Sequence, residues 1–114
     1  MIVHVVLFKP QSALAADERR RILHTLMASL EQCPTVRGCR IGRRVRHGLP
    51  GYEQAMEADY EYALLLEFDD VQGLKDYLEH PAHTQLGQVF SGSSSSALAY
   101  DYQMVPLDAA EQML

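Results

Sequence analysis

A chain of 114 residues suffices for one domain, because a core of this size buries roughly two-thirds of the unfolded surface and leaves little for a second. Apolar residues at 47% and charged residues at 22% exclude a disordered chain. Ten Lys and Arg against fifteen Asp and Glu leave a formal charge of -5, which argues against binding to nucleic acid or to an anionic membrane.

Ile2 to Phe8 is β-branched and apolar on both alternating sides, the pattern of a central strand covered from above and below. Met1 leads into it without a basic n-region, and no run approaches the ~18 to 20 apolar residues of a membrane span, so a cytoplasmic location is expected. From Leu14, the residues Ile22, Leu23, Leu26, Met27 and Leu30 recur at helical spacing opposite Glu18, Arg19, Arg20 and Glu31. They predict an amphipathic helix of about five turns that ends near Pro34. His24 lies beside this stripe, where a partly buried structural role is expected.

Val36 to Arg46 alternates Cys39, Ile41, Arg43 and Val45 with Arg40, Gly42, Arg44 and Arg46, and predicts an edge strand whose charges discourage mispairing. Residues 47–59 contain Gly48, Pro50 and Gly51 and predict a mobile loop. Tyr60 to Phe68 predicts a second central strand. Asp69 or Asp70 can cap a short helix through Leu78, and His80 before Pro81 is biased out of the helical region, so a second helix must restart at Pro81. Ser91 to Ser96 reads as a flexible linker of low complexity, followed by a last strand from Leu98 to Val105 and a tail expected to fray. The domain is therefore assigned to residues 1–105 and the tail to residues 106–114. Cys33 and Cys39 lack CxxC spacing and are expected as reduced, structural thiols.

The order of strands and helices predicts an α+β fold, a ferredoxin-like four-stranded antiparallel sheet with its helices on one face. Ile2, Val6, Phe8, Leu64, Leu66, Phe68, Leu98 and Met104 are expected beneath the helices. The other face would then hold Val3, Val5, Leu7, Ala63, Leu65, Ala99 and Val105, with Glu61, Glu67, Asp101 and Gln103 among them. Leaving the four largest of these in water forfeits on the order of 10 kcal/mol, comparable to the stability of a small domain. A second copy of the chain, its sheet packed face to face on the first, is the expected partner.

Five further pieces carry a family resemblance: His4-x-x-Leu7-Phe8-Lys9, the helix running into Cys33-Pro34, the strand ending in Asp69-Asp70, the segment Tyr77-Leu78-Glu79-His80-Pro81-Ala82-His83, and Asp101-Tyr102. With them the chain resembles the stress-responsive dimeric α/β-barrel domain proteins over residues 1 to about 105, and the resemblance implies a homodimeric barrel. A plant polyketide cyclase of this family closes an aldol ring without cofactor, using a histidine and a tyrosine between sheet and helices. Those residues match His83 and Tyr77 here, with His4 beside them. A second histidine of that cyclase is replaced by Tyr62, and two aromatic wall positions by Leu23 and Leu26, which implies a different ligand.

Chemistry can be placed on these residues directly. His83 lies in the first turn after Pro81, where the helix N-terminus disfavours an imidazolium and leaves a ring able to take a proton. Tyr77 could hydrogen-bond a carbonyl or an enolate. His4 would point under the helices, where His83 could satisfy it. The same residues would equally serve as a polar cluster locking the helix break to the sheet. His80 and His83 lie three apart but are separated by the break, with no further ligand in place, so no metal is expected. Neither GxGxxG nor a P-loop is present, so no nucleotide cofactor is expected. Tyr100 and Tyr102 are expected to pack in the core.

The leading expectation is a homodimer with a small-molecule cleft in each protomer, lined by His4, Leu23, Leu26, Tyr62, Leu64, Tyr77, His80 and His83, for a small carbonyl or aromatic ligand. The alternatives are a cofactor-independent acid/base enzyme using His83 and Tyr77, and a structural stress-response dimer without ligand.

Overall fold

The β-branched opening folds as strand β1 (Ile2–Pro10), and a computed structural model describes it together with the whole of residues 1–114. There follow helix α1 (Ala16–Glu31), strand β2 (Gly38–Arg43), a single 3-10 turn at Glu53–Ala55, strand β3 (Tyr62–Phe68), helices α2 (Val71–Glu79) and α3 (Pro81–Ser93), strand β4 (Ser94–Gln103) and a 3-10 segment at Leu107–Met113. The four strands lie in the order β2-β3-β1-β4, every neighbouring pair antiparallel. Each helical crossover skips one strand, which makes this the split βαβ, ferredoxin-like arrangement of the α+β class. β1 and β3 are central and β2 is an edge, as their patterns predict.

Strand register decides which side chains meet the helices. Val6 faces Leu64, His4 faces Leu66 and Ile2 faces Phe68, and this row is buried beneath α2 and α3 together with Phe8. Leu66 is wholly enclosed, and Leu74, Tyr77, Ala82 and Leu86 press on it from the helices while Leu26 closes the core from α1. α1 packs chiefly against α3. The one buried polar residue of α1, Ser29, turns its hydroxyl back onto the Thr25 carbonyl at 2.7 Å, which satisfies it without a partner from elsewhere.

On β4 the expectation needs correcting. Pairing with β1 sets Leu98 opposite Leu7, Tyr100 opposite Val5 and Tyr102 opposite Val3, so these three lie on the helix-free side and are exposed in the protomer. Leu98 and Met104 are not core residues, and Tyr100 and Tyr102 do not pack in one. Ala97, Ala99, Asp101 and Gln103 take the helix side instead, opposite Phe8, Val6, His4 and Ile2. Alternation fixes which residues of a strand share a side but not which side is inward, and one step of register exchanges the two.

Ser91 to Ser96 is not a linker. α3 continues to Ser93 and β4 starts at Ser94, so the serines end one element and begin the next. The Ser91 and Ser93 hydroxyls donate to the Gln88 and Val89 carbonyls of the last helical turn, and Ser95 donates to the Lys9 carbonyl across the sheet. Composition signalled flexibility, yet small hydroxyl side chains can cap a helix and join a ladder equally well. β2 is shorter than expected, the tail forms a 3-10 segment, and His24 is exposed.

The arginines around β2 are paired. Arg37 meets Asp69 at 2.8 Å, Arg40 meets Glu67 at 3.4 Å, and Arg44 and Arg46 converge on Asp59. Hydrogen bonds from Arg46 and Arg44 hold the Asp59 carboxyl below its ordinary range. The following loop is tied down as well: the Glu53 carboxylate accepts from the backbone N–H groups of His47 and Gly48. Gly48 and Gly51 have φ of 78° and 84°, left-handed conformations that a side chain would strain.

Candidate functional site

His4 projects from the middle of β1 beneath the helices and is 5% exposed. A histidine in such a place needs a partner. It finds one in Asp101, whose Oδ1 lies 2.6 Å from His4 Nδ1, a short charge-assisted contact between adjacent strands. A carboxylate can only accept, so Nδ1 carries the proton and Nε2 keeps the lone pair when the ring is neutral. The Asp101 side chain is itself 39% exposed, because Ala97 and Ala99 are too small to screen this side of β4.

Above His4 lies Tyr77 of α2, almost fully buried, its ring 5.9 Å from the imidazole of His4 and 4.8 Å from that of His83, both edge-on. Burial pushes the phenol upward in pKa, so it remains a hydrogen-bond donor across the physiological range. His83 is half-buried in the first turn of α3. Burial lowers its pKa below 6.5 and the neighbouring His4 lowers it further, against the opposing pull of the Leu78 backbone. A neutral, proton-accepting His83 is therefore the dominant form at neutral pH.

His80 has other work. It closes α2 and opens α3 with an extended ψ of 138°, and its Nδ1 accepts from the Ala82 N–H at 3.0 Å, so the ring is a helix cap. The residue before a proline avoids the helical region, which places the joint here.

A separate cavity of about 260 Å³ opens at the other end of the cleft, where α1 stands off the sheet. Its walls are Phe8, Leu26, Tyr62 and Phe90, with Phe8 stacked on Tyr62 and edge-on to Phe90. Leu23 and Ile41 line its rim and are exposed in the protomer.

The residues anticipated as one pocket thus fall into two groups. Leu23, Leu26 and Tyr62 line the cavity. His4, Tyr77 and His83 form a polar and aromatic cluster outside its lining, Leu64 is buried in the core between the two, and His80 caps α3. His4 is satisfied by Asp101 rather than by His83. Asp101 and the arginines at the cavity mouth, Arg19 and Arg20, are the additions that the structure makes. The arginines were legible in principle, since Arg19, Leu23 and Leu26 follow the i, i+4, i+7 spacing of one helix face. Asp101 required the register of β4.

The model of the family described as the Stress Responsive A/B Barrel Domain matches residues 2–104. Olivetolic acid cyclase of Cannabis sativa is 21% identical over 101 residues, which cover 89% of this chain and 94% of the cyclase. Among solved structures, a protein of Arabidopsis thaliana superposes with a TM-score of 0.78 at 18% identity, covering 94% of this chain and 98% of that one. A protein from Jannaschia sp., described as a dimeric ferredoxin-like protein of unknown function, superposes with a TM-score of 0.70 at 24% identity, covering 90% and 98%.

Proposed function

Because the chain belongs to the stress-responsive A/B barrel domain family, we propose that it works as a homodimer that binds a small, largely apolar molecule in the cleft of each protomer. The observation that carries the binding reading is the cavity itself: about 260 Å³ walled by two phenylalanines, a tyrosine and leucines. The helix-free sheet face supports the assembly. Val3, Val5, Leu7, Ala63, Leu65, Leu98, Tyr100 and Tyr102 share it, and no helix of the chain covers it. A relative described as dimeric agrees with that reading.

A second reading, an acid/base enzyme of the cyclase type, draws on the His4–Asp101 contact and on the lowered pKa of His83. In it the neutral His83 takes a proton from carbon next to a carbonyl, the Tyr77 hydroxyl donates to the oxygen, and Asp101 holds His4 in the tautomer that faces inward. The binding reading is tested by thermal shift with small aromatic and aliphatic compounds against the wild type and Leu23→Trp, which fills the rim. Stabilisation of the wild type, lost in the variant, is expected. Equal shifts in both proteins would place the ligand elsewhere. The second reading is tested on any carbonyl compound that binds: turnover abolished in His83→Ala with binding retained supports it.

A further inference from the structure

We infer that the cavity selects an amphipathic monoanion, a short alkyl chain or aromatic ring ending in a carboxylate, and that Arg19 is the residue that holds the anionic end. The inference rests on the cavity being a ligand site and specifies what it takes. Hydrocarbon lines the interior, whereas the α1 side of the mouth carries two guanidinium groups, Arg19 and Arg20.

Their situations differ. Arg20 is an exposed surface cation paired with Asp17 at 3.0 Å. Arg37, Arg40, Arg43, Arg44 and Arg46 also have acidic partners. Arg19 is half-buried at the rim, and its one side-chain hydrogen bond runs from Nε to the Leu14 carbonyl at 3.5 Å. Leu14 lines the same cavity, so the contact ties the stem to the rim and leaves the two terminal nitrogens, the fork that matches a carboxylate, without an acid. An arginine that merely covers apolar surface with its stem would show the same burial, but would give no discrimination between an acid and its neutral isostere.

Volume limits the ligand. A volume of about 260 Å³, open at the mouth, lies at the small end of ligand pockets and suits a short-chain molecule. Octanoate and octanamide are near-isosteric short-chain probes, the first an anion that only accepts hydrogen bonds and the second a neutral amide.

The test is calorimetric titration of the full-length wild type with both probes, at low and at high salt. Octanoate is expected to bind about ten-fold more tightly than octanamide, as for a charge-assisted hydrogen bond at a half-exposed site, with the advantage shrinking as salt rises. Arg19→Gln should bring the two to parity, while Arg21→Gln, which removes the same charge from an exposed position outside the cavity lining, should leave the preference intact. Equal affinities in the wild type, or an undiminished preference in Arg19→Gln, would overturn the assignment and leave the apolar cavity standing. Binding of neither probe would remove the cavity reading along with it.

Discussion

Histidine 83 shows how one side chain takes its chemistry from its neighbours. Its ring faces Tyr77 and lies within the field of His4, which in turn holds Asp101. NMR titration of the ring protons should give a midpoint below 6.5, and His4→Asn should move that midpoint upward by removing the competing cation. The sign for stability follows from linkage. A histidine whose folded pKa lies below its unfolded one binds protons more readily when unfolded, so this site's contribution is intact above about pH 6.5 and is lost as pH falls toward the folded pKa. His83→Gln should flatten the part of the melting-temperature profile that falls off below about pH 6.5. At this scale the nearness of His83 and Tyr77 was legible, because their spacing around His80-Pro81 is local. Asp101 is 97 residues from His4 in the chain, and only the pairing of two strands could reveal it.

The elements were legible to the extent that their signals were local. The β-branched run made β1, and the proline at residue 81 made the break between α2 and α3. Asp70 was one of two candidate caps, and the structure selects it: its Oδ1 accepts from the Gly73 N–H at 2.8 Å. Asp70→Ala should therefore cost about 1 kcal/mol in urea unfolding, while Asp69→Ala, which loses an exposed ion pair with Arg37, should cost less. The serine run misled because polar composition does not distinguish a solvated coil from a helix end whose hydroxyls bond to their own backbone. Limited proteolysis with a non-specific protease should leave residues 91–96 intact; early cleavage there would show that the helix-to-strand junction opens in solution.

For the whole molecule the decisive feature is a sheet with helices on one side and apolar side chains on the other. The expectation of an uncovered apolar face survived although several residues on β4 exchanged sides, because Leu98, Tyr100 and Tyr102 replaced Ala99 and Val105 with larger groups. Tyr100 is half-exposed in the protomer, so Tyr100→Glu removes no core contact of the protomer while placing a charge in the proposed interface. Sedimentation equilibrium should report half the wild-type mass for that variant. The cavity opens on the opposite side of the sheet, so the proposed binding to it should persist in a folded, dissociated form. A different consequence attaches to the hydrogen bond from the Met104 N–H to the Met1 carbonyl, 2.9 Å long. It brings the start of β1 and the end of β4 side by side on neighbouring strands, so the pairing of the sheet does not dictate where the chain must open. The gene could be cut within the loop around Gly51 and the end of β4 joined to the start of β1, without asking any strand to change its neighbours.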